Sequence, residues 1–248
     1  MNSPIQEPQE PLFHEAVCHF WKTRSRQASA QARRGKKDQG QRSAATGGRQ
    51  LDGFCATITH ALLQSGVPES DIFHAHRRSR YIPGFFRATK EWDLLVVSSG
   101  KLLAAIELKA HVGPSFGNNF NNRTEEALGS ATDLWTAYRE GAFGCASPPW
   151  LGYLLLLETC PESTRPCGVY EPHFPVLEEF RGASYAVRYE LFCRKLMLER
   201  KYSRTCLLLS HASWAEAGRT YIEPCRELGG RAFVHDLTRH VCSFYPSR

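Results

Sequence analysis

Asp93, Glu107 and Lys109 are the side chains whose types and spacing carry the most chemistry in this sequence. They lie in "EWDLLVVSSGKLLAAIELKA", which reads as two apolar strands joined by a turn at Ser98-Ser99-Gly100-Lys101. In an antiparallel hairpin with that turn, Asp93 near the start of the first strand returns to the neighbourhood of Glu107 near the end of the second. Alternate residues of a strand share a face, so Glu107 and Lys109 project together, flanked by the apolar Ile106 and Leu108. Unpaired charge buried there would cost several kcal/mol. Two adjacent carboxylates also repel unless a cation sits between them. Hard oxygen ligands of this kind favour Mg²⁺, which takes one or two carboxylates, a phosphate and several waters. A lysine two residues from one ligand is placed to hold or activate an attacking water, while the metal stabilises charge building on phosphoryl oxygens. The other reading of the bare pattern is a structural Glu–Lys pair at a strand end, with Asp93 closing a turn.

Holding such a site needs a sheet and the helices that cover it. Residues 1–11 carry three prolines and read as a loose N-terminal arm. Helical spacing of Phe13, Val17, Phe20 and Trp21 predicts a first helix continuing past Arg33. The basic, Gly/Ser-rich segment 34–50 reads as a loop within the domain that orders on a partner. "LDGFCATITHALLQSG" predicts a second helix with Gly66 near its C-cap. Beyond the hairpin, Asn-rich "GPSFGNNFNNR" reads as a loop, and "TEEALGSATDLWTAYREG" as a helix capped by Thr124 and ended by Gly141. "WLGYLLLLE" and "TCLLLSH" are near-continuous apolar strands of the kind buried inside a sheet. They are separated by a Pro-rich connection (161–175) and the helical "SYAVRYELFCRKLMLERKY", and a short helix from about Phe233 to Val241 closes the chain. With no internal boundary, the expectation is one α/β domain over 1–248, a central mixed sheet flanked by helices.

Composition narrows the partners. Of 248 residues, 42% are hydrophobic and 11% aromatic, and no apolar run approaches the ~20 residues of a membrane helix. The N-terminus lacks a basic stretch followed by an apolar core, so no secretory signal is expected. Nine scattered cysteines include no CxxC pair, which argues against a zinc ribbon or a redox motif and for reduced thiols in the cytoplasm. The net charge of +6 is unevenly spread. Lys22 to Arg49 contains nine Lys or Arg residues against the single acid Asp38. "RRSRYIPGFFRATK" (77–90) has five basic residues and no acid. Basic stretches interleaved with Tyr and Phe suit a polyanion, although a solvated face is the commoner origin of a charge run. Arg77, Arg78, Arg80, Arg87 and Lys90 precede the Asp93 strand and are candidates for phosphate contact. Asn118, Asn119, Asn121, Asn122 and Arg123 are candidates to read base edges, turn formation being the alternative for these types. Glu125 or Glu126 is a candidate supplementary carboxylate, and Asp52 either a further one or a helix cap.

"EWDLLVV" with "AAIELKA" resembles the PD-(D/E)xK nuclease motif, Trp92 standing where proline is more typical before the aspartate. "ELKAHVGPSFGNNFNNRTEEALGSATDLWTAYREGAFG" resembles the XhoI-like type II restriction endonucleases through dozens of consecutive residues, and "TGGRQLDGF" also fits. The resemblance extends over most of the chain and is most specific across 91–144. It implies the restriction-endonuclease-like fold and a homodimeric, Mg²⁺-dependent enzyme that cuts both strands of duplex DNA. It further implies the target CTCGAG, cleaved after the first C to leave 5′-phosphate ends, and a cognate DNA methyltransferase in the same host. On the family pattern Asp93 and Glu107 bind metal, the Leu108 carbonyl completes the ligand set, and Lys109 orients the nucleophile. Two other readings remain open: a structure-specific repair nuclease of the same superfamily, and a catalytically silent DNA-binding module. The intact Asp93, Glu107 and Lys109 set speaks against silence.

Overall fold

In the computed structural model, which describes residues 11–33, 42–144, 147–216 and 220–245, two helices come first, α1 (His14–Arg33) and α2 (Arg42–Gln64), packed on one another. Phe13, Val17, Phe20 and Trp21 bury one stripe, as their spacing predicts, and Phe54, Ile58 and Leu62 supply the matching stripe of α2. The helices approach so closely that a Cβ on Gly53 would lie 3.0 Å from the Ala16 Cα. The expected 34–50 loop is corrected from residue 42 onward, where the chain is already helical. Helix propagation from an anchored stripe outweighs the roughly 1 kcal/mol that each of Gly47 and Gly48 costs. Residues 34–41, and 1–10 of the arm, lie outside the described residues. Asp52 falls inside α2, so it caps nothing.

The strands follow: β1 (Ile72–Phe73), β2 (Tyr81–Pro83), β3 (Thr89–Glu91), β4 (Leu94–Ser98) and β5 (Lys101–His111). After α3 (Phe116–Arg139) come β6 (Trp150–Glu158), α4 (Pro161–Thr164), α5 (Tyr185–Leu198), β7 (Arg204–Ser210), α6 (Ala212–Glu216) and α7 (Gly230–Cys242). Five strands form one sheet in the order β1-β4-β5-β6-β7, antiparallel from β1 to β5 and parallel from β5 to β7. The sheet is therefore mixed, with α3 and α5 on the crossovers. β2 and β3 make a separate two-stranded hairpin, unanticipated, inside the basic-aromatic segment.

The expected β4–β5 hairpin is present. Ser99 and Gly100 take positive φ (50° and 73°), the conformation that lets a two-residue loop follow strand twist. Leu94 pairs with Ile106 and Leu95 with Ala105, and one register shift near the turn leaves the far end undisturbed. Alternation then sorts side chains. Leu94, Val96, Ile106, Leu108 and Leu154 face α1, α2 and α7. Leu95, Ala105, Tyr153 and Leu155 face α3 and α5. Glu107 and Lys109 share the parity of Ala105, so they face α3, where the apolar layer thins out.

α3 starts eight residues before the expected Thr124 cap, and the Asn-rich segment is its first turns rather than a loop. Phe116 and Phe120, one turn apart, are the reason. Phe116 stacks on His111 and Tyr185, and Phe120 meets Tyr189 edge-on. Burial of Phe116, about 1.5–3 kcal/mol for a side chain fully removed from water, and the partial burial of Phe120 override the low helix propensity of Asn and Gly. Thr124 instead donates back to the Phe120 carbonyl within the helix (2.9 Å). The far end behaves as expected, with Gly141 at φ 79° just past Glu140.

Candidate active site

Asp93 precedes β4 and is drawn into the sheet by its own backbone, its N–H donating to the Ile106 carbonyl (3.1 Å). Its carboxylate crosses to the partner strand, where Oδ2 accepts the Leu108 N–H at 2.7 Å. That bond sets Asp93 beside the Glu107–Lys109 pair, as the hairpin register requires. Glu107 is 2% exposed. Its Oε1 accepts from Lys109 Nζ at 2.8 Å and from Lys90 Nζ at 3.3 Å. Its Oε2 has no hydrogen-bond partner among the described residues. The nearby Tyr202 hydroxyl, kept un-ionised by burial and by Glu107, donates to the Ala127 carbonyl (3.1 Å).

These distances explain the electrostatics. Burial raises the Asp93 carboxyl above its ordinary range, against the lowering effect of the Leu108 N–H and Lys109. Burial pushes Glu107 the same way, but Lys109 and Lys90 overcome it and hold Glu107 below the usual carboxylate value. Burial alone would discharge Lys109, yet Glu107 keeps its pKa above that of a free lysine. Glu107 and Lys109 are thus a mutually charged pair.

The three groups open into a cleft of about 810 Å³ between the sheet, α2 and α3. Arg24, Arg87, Lys90 and Arg123 line it with positive charge, facing Glu125 and Glu126 on α3. Glu126 reaches Lys109 at 3.8 Å and pairs with Arg123 at 2.7 Å. Among the described residues no cluster of three His, Cys, Asp or Glu side chains is spaced to hold a metal. The available donors are the Asp93 and Glu107 carboxylates and backbone carbonyl oxygen, a hard set that fits a small divalent cation sharing its shell with water and phosphate.

Of the candidate DNA contacts, Arg87, Lys90 and Arg123 line this cleft. Arg77 and Arg80 do not. Both pair with Glu91, at 2.8 and 2.6 Å, and Arg80 also donates to the Trp92 carbonyl (3.1 Å), bracing the chain just before Asp93. Arg78 is exposed away from the cleft. None of Asn118, Asn119, Asn121 and Asn122 lines the cleft wall. Helical geometry puts Asn119 and Asn122 on the face of Glu126 and Ser130, Asn118 at its edge, and Asn121 on the opposite side. Asp52 is exposed and lies outside the cleft.

Two side chains escaped the sequence reading. Gln50 is buried, lines the cleft and donates to Gln27 of α1. Its signal was present: Gln50, Phe54, Ile58 and Leu62 recur every four residues, so a polar group occupies a core-facing position. Asp133, 2% exposed in α3, accepts the Phe85 and Phe86 N–H groups (2.8 Å each) and pairs with Arg87 (2.8 Å). Nothing local announces that role, because its partners come from a distant hairpin.

The family described as "Restriction endonuclease XhoI" matches residues 30–221. The type II restriction enzyme BstVI of Geobacillus stearothermophilus is 53% identical over 212 residues, covering 84% of this chain and 93% of that protein. The type II restriction enzyme XhoI of Xanthomonas vasicola is 49% identical over 188 residues, 76% of this chain and 75% of the relative. AbrI of Azospirillum brasilense, also a type II restriction enzyme, is 49% identical over 165 residues, 66% and 73% of the two chains. No solved structure matches. With family and relatives aligned over most of its length, and two carboxylates and a lysine gathered in a basic cleft, the chain belongs to the XhoI family of type II restriction endonucleases, site-specific deoxyribonucleases.

Proposed function

We propose that this single-domain enzyme acts as a homodimer, cutting duplex DNA with Mg²⁺ at CTCGAG after the first C to leave 5′-phosphate ends. The observation that supports the reading best is the meeting of Asp93, Glu107 and Lys109 on one wall of a basic cleft, Asp93 being held to β5 by the Leu108 N–H. Asp93, Glu107 and the Leu108 carbonyl would hold the cation, which when bound would neutralise charge on the phosphoryl oxygens. Lys109 orients water for in-line attack on phosphorus. The bond to the 3′ oxygen breaks, that oxygen takes a proton, and the phosphate stays on the 5′ end. Arg87, Arg123 and Arg24 place the backbone in the cleft, while Lys90 fixes the rotamer of Glu107. Asn119 and Asn122 continue the cleft face of α3 and are the asparagines best placed to reach base edges. The target sequence rests on the family likeness, and a restriction enzyme with this target works in the cytoplasm beside a methyltransferase that protects the host.

Digestion of a plasmid carrying one CTCGAG tests the reading. Mg²⁺ should give a single linear product whose ends map after the first C, and chelator should give none. A plasmid without the site should survive. Nicking that follows DNA structure instead of sequence would overturn the specificity, and cutting in chelator would overturn the metal.

A further inference from the structure

Phe85 and Phe86, at the tip of the β2–β3 hairpin, are 51% and 69% exposed. Two adjacent phenylalanines in water are unfavourable unless something covers them in use. The rings brace each other edge to face, with centroids 4.9 Å apart and planes at 82°. Their loop is fixed, too. Asp133, itself buried, accepts both of their backbone N–H groups and clamps Arg87 from the other side. Gly84 packs so tightly beneath them that a Cβ would lie 2.5 Å from Asp133 Oδ2 and 2.9 Å from the Arg87 carbonyl. A buried carboxylate is thus spent on holding two exposed rings still.

The surroundings say what the rings meet. Arg87 lines the active-site cleft, and Lys90 on the same hairpin touches Glu107. The segment's five basic side chains (77–90) outnumber the three carboxylates that pair with them, Glu91, Asp133 and Glu107, so the hairpin keeps a net positive charge. A twofold contact between copies of this chain through the tip would set those charges against themselves. DNA, the enzyme's substrate, supplies the opposite charge for the arginines and apolar base faces for the rings.

We propose that Phe85 and Phe86 form a preorganised aromatic wedge that enters the duplex at a base step beside the scissile phosphate. Apolar wedges of this kind unstack a step and bend the helix, exposing it to the surface that follows. Because the loop is rigid before binding, little ordering is required on contact. The inference rests on the reading of the Asp93 cleft as the place where DNA is cut.

The test begins with plasmid cleavage by the wild-type enzyme in Mg²⁺, which fixes the cut site. Duplexes around that site, each carrying one 2-aminopurine at a successive position, are then titrated with enzyme in Ca²⁺. Wild type should raise the fluorescence severalfold at one position only. The Phe85→Ala/Phe86→Ala double variant should leave it at the free-duplex level and lose roughly 10- to 100-fold in affinity. A Phe85→Leu/Phe86→Leu variant should recover part of both, separating insertion from a change in folding. Equal fluorescence and affinity in wild type and the alanine variant would overturn the wedge while leaving the cleavage reading intact. So would a variant that sediments as monomer where wild type is dimeric with no fluorescence change in either, which would make the rings a self-contact. Failure of the wild type to cut at all would instead remove the reading of the cleft.

Discussion

Glu107 keeps its charge at 2% exposure because two ammoniums share one of its oxygens. Removing Asp93 should leave that pair in place yet abolish half of the carboxylate pocket. Asp93→Ala is therefore expected to slow cleavage by at least about 10²–10³-fold, the worth of several kcal/mol of transition-state charge stabilisation, while cognate binding survives in a gel-shift titration. Undiminished cutting would remove Asp93 from the chemistry. His111 makes the opposite bargain. Its Nδ1 faces the Tyr189 hydroxyl at 2.6 Å and its Nε2 the Ser115 carbonyl at 3.2 Å, a set satisfied by the neutral ring. Burial brings its pKa down from 6.5 to about 4. Unfolded chains therefore bind a proton that the native state refuses, and stability present above pH 6.5 is lost as pH falls toward 4, up to about 3 kcal/mol. Chemical denaturation at a series of pH values should show that slope, and His111→Gln should flatten it.

At the scale of elements, the site depends on how tightly the sheet meets its helices. Gly152 lies in β6 where a Cβ would come within 2.3 Å of the Trp150 ring and 2.8 Å of Phe233 on α7. Gly152→Ala should cost about 1–3 kcal/mol by overpacking, read as a lowered unfolding midpoint. Gly129 on α3, with nothing within 4 Å of its would-be Cβ, should tolerate alanine and gain slightly from better helix propensity. The β2–β3 hairpin depends instead on one long-range anchor. Asp133→Ala should release the Phe85 and Phe86 amides to hydrogen exchange while β5 and β6 stay protected. Exchange unchanged at those two amides would show that the hairpin holds its own shape.

Across the whole molecule, positive charge gathers around the cleft from three separate places, α1, the β2–β3 hairpin and α3. DNA affinity should consequently fall steeply with salt. Replacing Arg123 by alanine should reduce the slope of log affinity against log salt by about one and weaken cognate and non-cognate duplexes alike if it contacts phosphate. A loss confined to the cognate duplex would make it a base reader. No helix among the described residues is long and apolar enough to cross a membrane. The eight cysteines among them are free thiols.

What the sequence determined by itself was local. A two-residue turn and strand alternation were enough to bring Asp93 to Glu107 and to put Lys109 on the same face, because hairpin register follows from neighbours in the chain. Apolar runs likewise announced β6 and β7, and α5 was legible as a helical segment between them. The tertiary structure decided everything that needed a distant partner. Phe116 and Phe120 turned an Asn-rich stretch into helix only because His111, Tyr185 and Tyr189 were there to receive them. Lys90 became a brace for Glu107, Arg80 a brace for Glu91, and Asp133 the anchor of a hairpin far away in sequence. Short-range sterics and periodicity are written along the chain, whereas the choice of partner for a charged or aromatic side chain depends on which surfaces the packed sheet brings within a few ångströms.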